Sequence, residues 1–157
     1  MIDHDAFRAV MGRFASGVTV VTSVDADGDD EGMTVSAFCS LSLDPPMVLF
    51  CVDRSASMFE SLAVAPGFIV NILSESQEPL ARRFSGPDPN RFEGIGYSRA
   101  PSGPVILDDV LGYLHCKRVA AYDGGDHRIY IGEVEAAEAN EGRPLLYYRG
   151  GYAQLER

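Results

Sequence analysis

Short hydroxyl side chains recur at Thr34, Ser36, Ser40 and Ser42 within the run Gly32 to Leu43. Residues two apart in a strand share a face, so these hydroxyls would line one side, with Val35, Cys39, Leu41 and Leu43 on the other. Small donors beside accessible backbone suit a flat heteroaromatic ligand that needs several hydrogen bonds and little steric bulk. A half-exposed antiparallel strand has the same pattern, and periodicity alone favours that plainer reading. A second candidate is Arg54-Ser55-Ala56-Ser57, which follows an apolar run and opens an expected helix. Free N–H groups and the helix dipole there would attract an anion, and Ser55 could cap the helix, contact a phosphate, or both.

The other reactive residue types select no chemistry. His4, His115 and His127 are far apart and form no H-x-x-x-H or H-E-x-x-H pair, so a catalytic metal is not expected. No G-x-S-x-G elbow occurs, which leaves hydrolase chemistry without support. Cys39, Cys51 and Cys116 are odd in number, widely spaced and set among apolar residues. They read as three reduced core thiols rather than a disulfide framework or a metal site. Gly12, Gly17, Gly28 and Gly32 do not compose a G-x-G-x-x-G turn, and no G-x-x-x-x-G-K-[ST] loop is present, so neither a Rossmann nor a P-loop site is expected.

The elements that must position these residues follow from periodicity and turn chemistry. Phe7, Val10, Met11 and Phe14 form one apolar stripe on a helix from Asp3 to Phe14, capped by Asp3 and ended by Gly17. Val18 to Val24 is a β-branched run, and the polar turn Asp25 to Gly32 leads into a partner strand, Met33 to Leu43. Asp44-Pro45-Pro46 stops it, and Met47 to Val52 reads as a strand buried on both faces. A helix starting at Ser55 would bury Met58, Phe59 and Leu62, before a strand Phe68 to Leu73 and a helix from about Ser76 to Phe84. The loop Ser85-Gly86-Pro87-Asp88-Pro89 should lie on the surface. Leu111 to Tyr122 and Arg128 to Ala139 are long strands joined by Asp123-Gly124-Gly125-Asp126, and Leu145 to Tyr148 is a last short strand. Many short strands without β-then-α alternation predict a mainly β, antiparallel barrel with a few helices.

Composition bounds the partners. The 157 residues suit one domain, 1–157, and the formal charge of −10 opposes nucleic acid through long-range repulsion. No stretch approaches the ~20 apolar residues of a membrane span, so no membrane partner is expected. Met1-Ile2-Asp3-His4-Asp5 has neither the basic start nor the apolar run of a signal peptide, which predicts a cytoplasmic protein.

Several segments together carry a resemblance. They are Phe7 to Thr22, Gly32 to Phe38, Ser40 to Pro46, Val70 to Leu73, Gly125-Asp126-His127 and Gly132-Glu133-Val134. In order and spacing, from about Phe7 to Leu155, the chain resembles the flavin reductase components of two-component monooxygenases. The resemblance implies a split β-barrel homodimer that reduces FMN or FAD with NADH or NADPH and passes the reduced flavin to a partner monooxygenase. It implies flavin contacts along Thr34, Val35, Ser36, Ala37, Ser40, Leu41 and Ser42, with the phosphate near Ser55 and Ser57. Members often carry a basic residue a few positions after the apolar strand; here Arg54 or Arg82 would substitute. His127 and Tyr152 would border the nicotinamide, although without the resemblance His127 reads simply as the end of a hairpin turn. Direct hydride transfer needs two stacked rings with reacting atoms about 3 to 3.5 Å apart and no protein nucleophile. Two other readings keep the fold: a related split-barrel flavoprotein oxidase or reductase acting on another substrate, and a non-catalytic flavin-binding module.

Overall fold

The computed structural model describes residues 1–156, and Asp3 starts the first helix by accepting the Ala6 N–H at 2.9 Å. This helix, α1 (His4–Met11), ends earlier than its apolar stripe predicts: the amides of Arg13 and Phe14 bond three residues back, to Val10 O at 3.0 Å and Met11 O at 3.1 Å, in place of the helical four. Gly17 does not end it but lies in strand β1 (Ser16–Gly17). The chain continues through β2 (Thr19–Val24), β3 (Asp30–Val35), β4 (Phe38–Leu43), β5 (Pro46–Asp53), α2 (Phe59–Val64) and β6 (Gly67–Ile72). A 3-10 turn (Glu75–Gln77) leads into α3 (Glu78–Ser85), β7 (Tyr97–Arg99) and β8 (Val105–Leu107). The long hairpin β9 (Gly112–Gly124) and β10 (His127–Ala139) precedes β11 (Leu145–Tyr148) and β12 (Gly151–Gln154).

The main sheet has seven strands in the order β3-β2-β6-β9-β10-β5-β4, every pair antiparallel. The expected strand Met33 to Leu43 is therefore two strands on opposite edges of one sheet. Ser36 and Ala37 join them in a tight corner, where the Phe38 N–H donates to Ser36 O at 2.9 Å and the Cys51 N–H to Ala37 O at 3.0 Å. Two residues can span opposite edges only if the sheet curls until its edges approach. Among the described residues no ladder joins β3 to β4, so the hydrogen-bonded circuit stays open there.

Two clusters fill the inside. In one, Phe50 meets Phe68 edge-on at 4.8 Å and stacks on Tyr130 at 5.7 Å, with Val48, Val52 and Met58 around them. In the other, α3 packs Ala81 and Phe84 onto Val18, Val20, Val105 and Leu145. β5 is not buried on both faces as its apolar run suggests. Val48, Phe50 and Val52 enter the core, whereas Met47, Leu49 and Cys51 are half-buried because their side of the sheet borders a cavity. The cysteines separate in the same way. All are free, but only Cys116 is a core thiol; Cys51 is half-buried, and edge strand β4 leaves Cys39 exposed.

Candidate functional site

Ser36 and Ala37 open on the cavity that borders β5, a space of about 580 Å³. Phe7, Met11 and Phe14 wall it from α1 and the turn after it, Phe38 and Cys39 from β4, Leu49 and Cys51 from β5, and Tyr147 from β11. Its cations are Arg8 and Arg149. The volume falls in the range of sites for cofactor-sized molecules, and the walls are mainly apolar, as such sites require. A smaller space of about 240 Å³, lined by Gly17, Val18, Thr19 and Ile72, meets the same corner at Ser36 and Phe38.

The hydroxyl stripe does not form one face. Thr34 Oγ1 donates to Ala81 O on α3 at 2.7 Å, so that hydroxyl is committed to packing the helix. Val35 is buried in the core, and Ser36 and Ala37 form the corner itself. Beyond it a bulge places Leu41 as an extra residue between Ser40 and Ser42, which shifts the alternation. Ser40, Leu41 and Ser42 run along the outer edge of β4 and do not line the cavity.

The anion turn after β5 also differs. Ser55 does not cap α2, whose N-cap is Met58 without a side-chain hydrogen bond. The Ser55 amide and hydroxyl instead both donate to Asp53 Oδ1, at 2.8 Å each. These bonds, the amide foremost, hold the Asp53 carboxyl below the usual carboxylate range. Arg54 reaches Asp123 at 3.1 Å and Gly125 O at 3.3 Å. Asp123 is held low chiefly by its hydrogen bond from Arg128. Ser57 borders a separate space of about 360 Å³ with Asp30, Glu31 and Asp88. Burial pushes the Glu31 carboxyl up, and it accepts the Ser61 hydroxyl.

His127 begins β10 directly opposite Asp53, just past Gly125, whose φ of +60° lets the hairpin reverse. Its Nδ1 lies 2.7 Å from Asp126 Oδ1, which leaves Nε2 available. Tyr152 stacks under the Arg82 guanidinium at 5.0 Å and meets the Tyr147 ring at 5.5 Å, so these two residues stand one ring behind the cavity wall. The structure thus brings together Ser36 and Ala37, joins Arg82 to Tyr152, and groups Arg54, Ser55 and His127 around the β9–β10 turn. Ser57 lies apart. Sequence reasoning missed Phe7, Cys39, Leu49, Tyr147 and Arg149 as cavity residues. Only Arg149-Gly150, between two short β runs, carries a local turn signal.

The chain is thus a β protein whose antiparallel sheet curls around a corner that borders a mainly apolar cavity of about 580 Å³. The comparisons with known proteins narrow the class. The family described as "Flavin reductase like domain" matches residues 11–156. The chain is 40% identical over 156 residues to "Flavin-dependent monooxygenase, reductase subunit HsaB" of Rhodococcus jostii (strain RHA1), covering 99% of this chain and 80% of that protein. It is 37% identical to "Flavin reductase (NADH)" of Kitasatospora aureofaciens, covering 98% of this chain and 83% of that one. Among solved structures, Streptomyces globisporus C-1027 NADH:FAD oxidoreductase SgcE6 in complex with NAD and FAD fragments superposes with a TM-score of 0.93. It is 34% identical, covering 98% of this chain and 93% of that one. The chain belongs to the flavin reductase like family, which bears out the resemblance carried by its motifs.

Proposed function

We propose that this protein is an NAD(P)H:flavin oxidoreductase that reduces FMN or FAD and supplies the reduced flavin to a partner monooxygenase. The observation that carries the reading is the corner at Ser36 and Ala37, where the two unpaired edges of the sheet meet at an apolar cavity of about 580 Å³. A flavin ring fits this arrangement. It needs a flat apolar slot, small side chains at one edge, and donors for its polar rim. Ser36 and Ala37 provide the small side chains. Strands β3 and β4 each have one ladder neighbour, so backbone groups along Thr34, Val35, Ser40, Leu41 and Ser42 have an unpaired side toward which polar atoms can turn.

Bound flavin would supply the ring that accepts a hydride from the nicotinamide. The chain's own part is to bind, orient and exclude water. Phe38, Leu49 and Tyr147 keep water from the ring, and Tyr152, braced by Arg82, supports Tyr147. Backbone N–H groups near the corner favour negative charge on a ligand there, an electrostatic role that needs no titrating side chain. His127 and Tyr152 are the proposed nicotinamide contacts, His127 offering Nε2 while Asp126 fixes Nδ1.

The proposed working unit is a homodimeric split β-barrel, one domain over residues 1–157, in the cytoplasm. The curled sheet, open between β3 and β4, supports the barrel. Val10 and Leu43, exposed apolar side chains outside the cavity lining, support the dimer, since a second copy would remove them from water. Among the described residues no helix is long and apolar enough to cross a membrane. Relatives named as reductase subunits of monooxygenases support the partner. The test is steady-state oxidation of NADH and NADPH with and without added FMN or FAD. Flavin-dependent turnover is expected. Flavin binding without turnover would replace the reductase with a storage module, and turnover that needs a different acceptor would replace it with another split-barrel flavoenzyme.

A further inference from the structure

A second cavity, of about 310 Å³, shares no lining residue with the one at Ser36 and Ala37. Val24, Pro66 and Pro104 give it apolar walls. Cys116 adds another, since burial foremost, and then the Glu135 carboxylate, push its thiol up to about 12 and keep it neutral. Ser102 from the loop between β7 and β8, His115 and Lys117 from β9, and Glu135 from β10 converge on the same space. His115 and Lys117 are two apart in a strand and so share its face. Glu135 reaches them through a bulge: the β9–β10 register shifts between Val134 and Ala136 and leaves it as an extra residue, a device that re-aims a side chain. Ser102 Oγ lies 2.6 Å from His115 Nε2, which ties the loop to the strand and fixes a hydroxyl at the cavity.

The two charges single this cavity out. Lys117 is the chain's only lysine, and among the described residues neither it nor Glu135 forms an ion pair. Glu133, opposite Lys117 in the ladder, does not line the space. In the cavity beside Ser57 the charges are already engaged. Arg91 donates to Gly32 O and Gly86 O at 2.6 Å each, Glu31 accepts from Ser61, Asp30 pairs with Arg99, and Asp88 pairs with Arg83. The cavity at Ser36 and Ala37 has cations alone. An unpaired ammonium, an unpaired carboxylate and a fixed hydroxyl on one small apolar space complement a molecule that carries both charges. Its ammonium would face Glu135, its carboxylate Lys117 and Ser102, and its apolar body Val24, Pro66 and Pro104. We propose that this cavity binds a free α-amino acid with an apolar side chain. The site is independent of the flavin reading and stands or falls apart from it.

Reductive methylation with isotope-labelled formaldehyde marks only Lys117 and the N-terminal amine and keeps their charge, so one lysine resonance reports on the cavity. Lys117→Gln identifies that resonance by its absence. Titration with L-valine, L-leucine, L-methionine and L-phenylalanine should move it saturably with at least one of them. For the tightest of these, the amine that lacks its carboxylate and the acid that lacks its ammonium should each bind about tenfold more weakly, because a charge-assisted contact is worth at least that factor. Glu135→Gln, at an exposed position, should weaken the amino acid by a similar factor with circular dichroism unchanged. The amino acid should also raise the thermal midpoint of the unmodified protein and leave that of Lys117→Gln where it is. The proposal is overturned if none of the four moves the resonance, if the amine or the acid binds as tightly as the amino acid, or if folded Glu135→Gln keeps full affinity.

Discussion

Asp53 Oδ1 accepts both the amide and the hydroxyl of Ser55 at 2.8 Å, which closes the turn after β5 on a carboxylate. A carboxyl with a depressed folded-state pKa contributes stability above its unfolded pKa and loses it as pH falls through the folded value. In an NMR pH titration the Asp53 carboxyl should therefore titrate below an ordinary aspartate. Ser55→Ala should move the midpoint only part of the way up, because the amide, the larger cause, remains. Identical midpoints in the two proteins would show that the hydroxyl contributes nothing.

Gly67 tests the packing that carries β6 past β9. A Cβ there would stand 2.5 Å from Cys116 O, a backbone atom in the ladder that cannot swing aside. Gly67→Ala should cost about 1 to 3 kcal/mol in denaturant unfolding, the range for overpacking. An unchanged midpoint would mean that β6 and β9 separate more readily than their register implies.

The parts of the fold legible in the sequence are those where local chemistry and tertiary structure agree. The Asp3 cap, the turn at Gly125 and the apolar spacing of Leu80 and Phe84 each have one cause and one outcome. The break at Ser36 and Ala37 was hidden because alternation of hydroxyls runs across it, and nothing local shows that β3 and β4 pair with different strands. Ser55 does not cap because its own amide and hydroxyl turn back to Asp53 and the helix starts only at Phe59, with Met58 as its N-cap. Phe7, Leu49, Tyr147 and Arg149 come from remote elements, so no window of sequence places them on one cavity. β1 and β12 are short and take their pairing from β11 rather than from their own composition.

Ser36 is exposed at the cavity mouth, and its side chain does not enter the core. Ser36→Tyr should fill the mouth and weaken flavin binding at least tenfold, while unfolding changes by about 0.5 kcal/mol or less, as for surface substitutions. Fluorescence titration beside circular dichroism checks both. Undiminished affinity in a folded variant would move the flavin away from this corner.

His127 has Nδ1 against Asp126 and Nε2 available. His127→Ala should raise the KM for NAD(P)H about tenfold, equivalent to about 1.4 kcal/mol, with flavin affinity unchanged. Loss of an obligatory proton donor would instead cost roughly 10² to 10⁴ in rate. Unaltered steady-state constants would return His127 to a purely structural place at the hairpin turn.

The central claim is that this chain brings a nicotinamide and a flavin together for hydride transfer. The most direct measurement is anaerobic mixing of the flavin-loaded protein with NADH or NADPH while the visible flavin absorbance is followed. The account predicts bleaching with at least one nucleotide, far faster than in a control of free flavin and nucleotide at the same concentrations. Flavin that titrates onto the protein but bleaches no faster than that control, with either nucleotide, would contradict it.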